Sequence, residues 1–148
     1  MSPEVKKTIE DKLFLLQETS RILDELRPVA EKDFINDYHI NHIAMFDLSR
    51  GIEIVVDIGQ HLLHRHLQIT GAKTYEDIIV ELGNTRIVPA TFAEENKKMA
   101  GFRNRLIHDY DRINLHEVYQ HLQKAPDIFR TFAKYFVEFM EREEGKGK

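Results

Sequence analysis

Cysteine is absent from this 148-residue sequence, and so are long apolar runs. Without cysteine the chain can form neither a disulfide framework nor a zinc site with thiolate ligands, and a reducing compartment suits it. No uninterrupted apolar segment approaches the roughly 20 residues that are needed to cross a membrane. The first residues, up to Leu13, carry charges and lack the apolar core of an export signal. We therefore expect a soluble, cytoplasmic protein.

The chain also has no excess of positive charge. The formal net charge is −4, which argues against a general nucleic-acid coat protein, because such proteins bind many phosphates at once. Residues 97–112 are an exception, since five basic and two acidic residues leave them with a local charge of +3. Such a segment could bind one or two phosphates, although basic residues also cluster by chance on a solvated face.

Apolar residues recur at intervals of three and four along nearly the whole chain, which predicts α-helices. The length predicts one domain over 1–148, of which 142–148 form a charged and frayed tail. We expect a first helix over 4–26, which Pro28 ends. A second pattern, over 32–68, is apolar on more than one face. It should therefore run through the centre of a bundle or also form a subunit interface.

The second half of the chain contains further helical patterns. A short helix is expected over 74–82 with Thr74 as its cap, and another should run from Pro89 into the motif described below. The last helix should span 114–141, with a kink or a split at Pro126. No glycine-rich phosphate loop and no strand alternation are present. The sequence thus predicts an all-α bundle of four or five helices.

The stretch RNRLIHDY, from Arg103 to Tyr110, places charged and aromatic groups between apolar ones. On the predicted helix, Arg103 and Tyr110 lie about 40° and about 20° from Met99, inside the apolar stripe. An arginine in that position needs a carboxylate or a partner chain, because an unpaired buried charge is costly. Tyr110, seven residues further on, is a suitable neighbour for it.

Asn104 and His108 lie on the opposite side of the same predicted helix, at about 140° and 180°. If the helix is continuous, Arg103 and His108 therefore cannot easily contact the same substrate atom. Either the helix ends or distorts near Leu106, or two copies of the motif face each other across a dimer. The second possibility agrees with the central helix that is apolar on more than one face.

These residue types suit phosphodiester cleavage without a metal ion. A histidine titrates near neutrality and can take or give a proton. An arginine can neutralise a phosphate and the charge that develops on it, and an asparagine can orient the phosphate or the imidazole. RNA supplies the nucleophile, its own 2′-hydroxyl. The competing interpretation is a structural Arg–Tyr pair beside an incidental surface histidine.

Other polar residues are candidates for supporting roles. Glu53 and Asp57, one helical turn apart, could pair with Arg103 or orient His108, or they could be two acids on a solvated flank. Arg105 adds a further cation to the motif. Several histidines invite a metal site, but no cysteine or well-spaced acid completes a ligand set, so we predict none. These histidines are His39, His42, His61, His64 and His66.

The pattern Arg-Asn-x-x-x-His-x-Tyr, near the end of a small helical domain, resembles the signature of HEPN proteins. Three stretches resemble the HepT-like toxins in particular: FRNRLIHDYDRIN at 102–114, SRGIEIVVDIGQHLL at 49–63 and TYEDI at 74–78. The resemblance extends over residues 5–140, which is nearly the whole chain.

The resemblance implies a HEPN bundle of four or five helices that dimerises with two motifs facing one cleft. It implies a metal-independent endoribonuclease that is the toxin of a toxin–antitoxin pair and needs no cofactor. Arg103 and His108 would be the catalytic pair, with Asn104 as their polar helper. The antitoxin would be a minimal nucleotidyltransferase that attaches AMP to Tyr110, which would place a bulky anion beside Arg103.

Two other functions remain open from the sequence. The chain could be a non-catalytic interaction module whose role is to dock the nucleotidyltransferase. It could also be a helical bundle that binds a nucleotide or another small ligand, with Arg103 and Arg105 on a phosphate. The sequence does not indicate which RNA would be cut, because RNA targets are recognised by shape, loops and accessibility.

Overall fold

A computed structural model describes residues 1–146, which form helices joined by short turns and contain no β-strand. The α-helices are α1 (Pro3–Leu26), α2 (Glu31–Asn36), α3 (Tyr38–Gln60), α4 (Tyr75–Asn84), α5 (Ala90–Asn96), α6 (Met99–His108) and α7 (Leu115–Lys146), and a π-helix spans His61–His66. Five of these α-helices have ten or more residues, and the predicted all-α fold is confirmed. None of the described helices has the length and apolar character needed to span a membrane.

Helix α3 runs through the centre of the bundle and is buried on more than one face, as predicted. It contacts α1, α4, α6 and α7, and Ala44, Val55 and Ile58 are fully buried. Gly51 faces α7, where a Cβ atom would overlap the ring of Phe129. The missing side chain therefore lets the two helices approach closely.

The segment predicted as one helical pattern over 32–68 is divided into three pieces. Asp37 separates α2 from α3, because its backbone is extended and its carboxylate accepts a hydrogen bond from the Ile40 amide at 3.1 Å. Aspartate is a favoured N-cap, since it satisfies an amide that has no partner within the helix. After Gln60 the α-helix gives way to the π-helix of His61–His66. The prediction was therefore right about the central helix and wrong about its continuity.

Helix α4 begins at the predicted cap. Thr74 accepts a hydrogen bond from the Asp77 amide at 3.0 Å, and the Asp77 carboxylate accepts one from the Thr74 amide at 3.5 Å. This reciprocal arrangement satisfies two amides at the start of the helix. The side chain of Tyr75, the next residue, is thereby fixed in the first turn of α4.

The helix expected from Pro89 into the motif is interrupted, and that prediction is wrong. Helix α5 ends at Asn96, whose side-chain amide donates to the Phe92 carbonyl at 2.9 Å. A side chain that bonds the backbone in this way competes with continuation of the helix. Lys97 and Lys98 separate α5 from α6, which begins at Met99. Their positive charges lie at the N-terminal end of α6, where the helix dipole is also positive and positive charges do not stabilise the helix.

Helix α7 continues through Pro126, so the predicted split does not occur. Proline removes one intrahelical hydrogen bond, but contacts from α1 hold the helix on both sides of it. Arg27 donates to the Gln123 carbonyl at 3.1 Å and to the Asp127 carboxylate at 2.9 Å. These bonds keep the two halves of α7 against the same neighbouring helix.

The charged end of the chain was expected to be frayed from residue 142, but it is helical as far as Lys146. Glu143 lies 2.9 Å from the imidazole of His66, and Glu144 forms an ion pair with Lys6. Both contacts attach the end of α7 to the bundle. Residues 147 and 148, also part of the predicted tail, lie outside the described residues.

Candidate active site

Helix α6 carries the motif and lies against the centre of the bundle. It contacts α3 and α4, and it buries Ala100, Phe102 and Leu106. The outer face of the Phe102 ring is covered by the His121 ring of α7, with ring centres 3.7 Å apart. This packing fixes the rotation of α6 about its axis, so the polar residues of the motif have defined directions.

Arg103 is mostly buried and is held between α3 and α4. Its side chain is 17% exposed, and its Nη2 lies 3.7 Å from Oε2 of Glu53. The guanidinium carbon lies over the ring of Tyr75, 4.9 Å from the ring centre. The Nε atom is buried and has no hydrogen-bond partner among residues 1–146. The arginine thus faces a carboxylate and an aromatic ring, and its Nη1 donates to Oδ1 of Asn104 at 3.5 Å, but its donors are only partly used.

The tyrosine that contacts Arg103 is Tyr75. The prediction that Tyr110 would be its neighbour is wrong. Helix α6 ends at His108, so Tyr110 lies beyond the helix and does not follow the helical spacing. Burial raises the pKa of the Tyr75 hydroxyl above 10.0, and the nearby positive charge of Arg103 partly opposes this. Tyr75 therefore stays protonated, and its ring offers the guanidinium a neutral aromatic face.

His108 and Asn104 lie on the exposed side of α6, opposite the buried stripe, as the helical spacing predicts. His108 is the last residue of the helix, and the Asp109 amide donates to the Arg105 carbonyl at 2.9 Å. The helix is therefore continuous past Leu106, and the predicted distortion that would bring His108 to the side of Arg103 does not occur. Within one chain, Arg103 and His108 point in different directions.

A groove of about 580 Å³ lies between α1, α3 and α6 and reaches the motif at Leu106, Ile107 and Tyr110. Tyr110 is 57% exposed, and the nearest ring is that of His42, whose centre is 6.5 Å away. Arg103 does not line the groove, although its partner Glu53 does. The side chains that the groove takes from α1 and α3 are Lys12, Leu15, His42, Met45, Phe46, Ser49, Arg50, Glu53, Ile54 and Asp57.

The other predicted supporting residues have their own partners. Arg105 turns towards α7 and donates to both carboxylate oxygens of Glu117, at 2.8 and 2.6 Å. This pairing raises the pKa of Arg105 and lowers that of Glu117. Asp57 lies 3.6 Å from Lys12 across the groove, not beside Arg103. Of the two predicted carboxylates, only Glu53 approaches the motif arginine.

The histidines considered for a metal site are dispersed. His66 pairs with Glu143, and His42 contacts Tyr38. Burial lowers the pKa of His61, and the positive charge of Lys12 adds to the effect. Among residues 1–146, no three side chains of histidine, aspartate and glutamate gather closely enough to hold a metal ion.

Comparison with known proteins shows the family to which the chain belongs. Residues 15–136 match the family described as ribonuclease HepT-like. The chain belongs to this family. It is 27% identical over 142 residues to a tRNA nuclease HepT of Aphanizomenon flos-aquae, which covers 90% of this chain and 92% of that protein. It is 29% identical over 99 residues to an mRNA nuclease HepT of Shewanella oneidensis, covering 67% of this chain and 74% of that protein.

A solved structure has the same HepT-like fold. It is the tri-AMPylated HEPN toxin of Shewanella oneidensis in complex with its MNT antitoxin. The TM-score is 0.79 at 22% identity, with 93% of this chain and 99% of that chain covered. The predicted HEPN bundle is thereby confirmed as the fold.

Sequence reasoning did not identify Tyr75, His42 or Arg50 as parts of this HepT-like site. No spacing in the sequence relates Tyr75 to Arg103, because the contact joins two separate helices. A signal for the groove did exist, since its α3 residues recur at intervals of three and four. They are His42, Phe46, Arg50, Glu53 and Asp57.

Proposed function

We propose that this chain is a metal-independent endoribonuclease and the toxin of a toxin–antitoxin pair. One observation carries the proposal: an exposed histidine, His108, ends the same helix in which Arg103 is held, in a chain of the HepT-like ribonuclease family. The names of the two nuclease relatives support RNA as the substrate. An RNA substrate in turn leads us to propose a cytoplasmic location.

The proposed reaction uses the 2′-hydroxyl of RNA as the nucleophile. His108 takes the proton of that hydroxyl, and the resulting oxygen attacks the adjacent phosphorus. The bond from phosphorus to the 5′-oxygen breaks, and protonated His108 returns to this leaving oxygen the proton that it took from the 2′-hydroxyl. The products are a 2′,3′-cyclic phosphate and a free 5′-hydroxyl. Arg103 neutralises the charge on the phosphate oxygens, and Asn104 orients the phosphate by hydrogen bonding.

Arg103 must turn towards the substrate for this reaction. Its Nε atom has no hydrogen-bond partner in the described residues, and its contact with Glu53 is 3.7 Å long. Buried donors that lack a partner are costly. A phosphate could therefore compete well with Glu53 for the guanidinium, and Glu53 would hold the arginine only until RNA binds.

We propose that two copies of the chain complete the site. Arg103 is held against α3 and α4, whereas His108 is exposed at the end of an intact helix, which favours a site that takes each residue from a different copy. Exposed apolar residues around the groove support a contact between copies, because Phe46 is 63% exposed and Leu15 and Ile107 lie beside it. In the dimer, the two motifs would face one cleft.

We further propose that a minimal nucleotidyltransferase controls the toxin by modifying Tyr110. The Tyr110 oxygen would attack the α-phosphorus of ATP, which forms a phosphodiester with AMP and releases pyrophosphate. The exposed position of Tyr110 supports access by another enzyme. Because Tyr110 opens onto the groove and not onto Arg103, the added AMP would fill the groove near Arg50 and block RNA there.

A second candidate function has one observation in its favour. Arg103 is occupied by Glu53 and Tyr75 and is not presented to the groove. A motif locked in this way would suit a non-catalytic module that docks the nucleotidyltransferase. This candidate predicts a tight complex with the nucleotidyltransferase and no cleavage of RNA.

The deciding experiment is cleavage of total RNA by the purified, unmodified protein in EDTA. The wild type should cut and leave 2′,3′-cyclic phosphate ends, while His108→Ala and Arg103→Ala should not. Asp11→Asn serves as a control, because it removes a charge from an exposed pair with Lys7 that lines neither the groove nor the motif. Folded wild-type protein that cuts nothing, with Tyr110 shown by mass to be unmodified, would leave the docking module as the better interpretation.

Mixing the two inactive variants tests the composite site. If one copy supplies Arg103 and its partner copy supplies His108, a mixture of Arg103→Ala and His108→Ala forms some dimers with one intact site. We expect the mixture to recover part of the activity that neither variant has alone. A mixture as inactive as its components, with subunit exchange demonstrated, would place both residues in the same chain's site.

A further inference from the structure

Three aromatic rings run in series from the start of α3 to the motif. The rings of Tyr38 and His42 are stacked, with centres 3.7 Å apart and planes inclined by 26°. The His42 ring lies edge-on to Tyr110, with ring centres 6.5 Å apart and planes inclined by 76°. One face of Tyr38 is covered by His42, yet the Tyr38 side chain remains 67% exposed. The His39 ring approaches Tyr38 edge-on, with ring centres 6.0 Å apart and planes inclined by 89°, and the high exposure of Tyr38 leaves its ring accessible to a planar ligand.

The middle ring of this series is held firmly. His42 Nδ1 lies 2.7 Å from Oδ1 of Asn41 and 2.9 Å from the Tyr38 carbonyl oxygen. Asn41 is buried, and its amide group donates to the Phe34 carbonyl at 3.2 Å, which fixes the direction of Oδ1. Both atoms that face Nδ1 accept hydrogen bonds, so Nδ1 carries the hydrogen.

The surroundings favour a nucleic-acid ligand over an apolar one. Arg50 and His42 line the groove, whereas Tyr38 stacks on His42 beyond its lining. Arg50 has no carboxylate within 4.0 Å among residues 1–146, although its charge reaches Asp47 on the same helix and opposes the rise in the pKa of that carboxyl. Arg50 lies twelve residues after Tyr38, or about 18 Å along α3. A ring platform and a cation at this separation match a single strand that stacks a base at one point and places a phosphate at another.

We propose that Tyr38, backed by His42, is a stacking site for one unpaired nucleobase of the RNA, with Arg50 on a phosphate further along the strand. This inference rests on the proposed function, since it supplies the RNA-binding track that leads to the motif. The bound base continues the stack of Tyr38 on His42. An ordered platform loses little side-chain entropy on binding, because the His42 ring is already fixed.

Direct binding tests the site separately from cleavage. The probe is a short fluorescein-labelled oligoadenylate in which every 2′-hydroxyl is methylated, so that it has no nucleophile and cannot be cut. We expect Tyr38→Ala to raise its Kd about tenfold, the usual effect of losing one base–aromatic stack. Tyr38→Phe keeps the ring and should bind like the wild type. Phe14→Ala removes a similarly exposed ring of α1 that has no stacked partner on α3, and it should also bind like the wild type.

A second probe distinguishes stacking from an indirect structural effect. An abasic strand with the same backbone should bind the wild type as weakly as oligoadenylate binds Tyr38→Ala. The abasic strand should also be insensitive to Tyr38→Ala. Equal loss of affinity for both strands would overturn the stacking site, because it would show that Tyr38 acts on the backbone or on the fold.

The remaining outcomes separate this inference from the proposed function. Unchanged oligoadenylate binding in Tyr38→Ala overturns the stacking site even if the wild type cleaves RNA. If Tyr38→Ala instead weakens only the complex with the nucleotidyltransferase, the rings form a protein-docking surface and the inference is again overturned. A tenfold loss of oligoadenylate binding in a protein that never cleaves RNA upholds the stacking site and refutes the ribonuclease.

Discussion

The carboxylate of Glu53 lies 3.7 Å from the guanidinium of Arg103, and it is the carboxylate of α3 that approaches the motif of α6. Glu53 also lines the groove, whereas Arg103 does not. The glutamate therefore lies between the motif arginine and the surface on which we propose that RNA binds. Glu53 can therefore orient the guanidinium of Arg103 without itself touching the reacting atoms.

We expect Glu53→Gln to slow RNA cleavage and to leave the fold intact. Arg103 is 17% exposed and Glu53 46%, and glutamine keeps an acceptor oxygen beside the buried guanidinium, so we expect a loss of only about 1 kcal/mol of stability. A poorly placed arginine, by contrast, can reduce the rate by about ten- to a hundredfold. Cleavage rates and urea unfolding curves measure the two effects. Asp11→Asn is the matched control, because Asp11 pairs with the exposed Lys7 away from the groove and its loss should leave the rate unchanged.

The ring of Tyr75, and not its hydroxyl, should support Arg103. The guanidinium lies over the ring, and such contacts contribute about 0.5–1 kcal/mol at exposed sites and more when they are desolvated. Tyr75→Phe should therefore keep both stability and cleavage, whereas Tyr75→Ala should lose both. Thermal unfolding and the RNA cleavage assay would show this. A Tyr75→Phe variant as impaired as Tyr75→Ala would mean that the hydroxyl has the main role.

The Tyr110 hydroxyl should be needed for control by the antitoxin and not for cleavage. Tyr110 lies beyond the end of α6 and is exposed, so its replacement by phenylalanine should not disturb the fold. We expect Tyr110→Phe to cleave RNA as the wild type does and to gain no AMP from the nucleotidyltransferase and ATP, as followed by intact mass. Tyr75→Phe is the control and should still gain AMP. A mass increase in Tyr110→Phe would place the modification elsewhere.

The sequence predicted the bundle well because helix formation leaves a local periodic signal. The burial of α3 on several faces, the Thr74 cap and the exposure of His108 all follow from residues within a few turns of one another. The breaks at Asp37 and Asn96 were missed, because each depends on one side chain that bonds the backbone in place of continuing the helix.

Contacts between distant segments could not be predicted from spacing. The expected pair of Arg103 and Tyr110 assumed that the helix continues past His108, whereas the chain turns and Tyr75 of another helix takes that position. The stack of Tyr38 on His42 was a local signal, at a spacing of four residues, that sequence reasoning overlooked. The accessibility of the Tyr38 ring, however, depends on how the neighbouring helices pack.

Stability should fall between neutral and mildly acidic pH, in part because of His121. Burial lowers the pKa of His121 below 6.5, and Glu117 only partly offsets this effect. A base with a depressed folded pKa binds its proton more readily when the chain is unfolded. Its contribution to stability is therefore complete above pH 6.5 and is lost as the pH falls through the folded pKa.

We expect His121→Gln to reduce the slope of unfolding free energy against pH below 6.5. Urea unfolding at a series of pH values measures that slope. Part of the slope should remain in the variant, because burial lowers the pKa of His61 in the same direction. Identical slopes in the variant and the wild type would show that His121 does not contribute.

Two glycine-to-alanine substitutions should change stability in opposite directions. A Cβ atom at Gly51 would overlap the ring of Phe129, whereas a Cβ atom at Gly101 meets no atom within 4 Å. Overpacking a close helix contact costs about 1–3 kcal/mol, while replacing an exposed glycine within a helix gains up to about 1 kcal/mol. Gly51→Ala should therefore unfold at lower urea concentration than the wild type, and Gly101→Ala at higher. A destabilised Gly101→Ala would contradict the prediction and would show that α6 has a close contact at this position that a single chain does not contain.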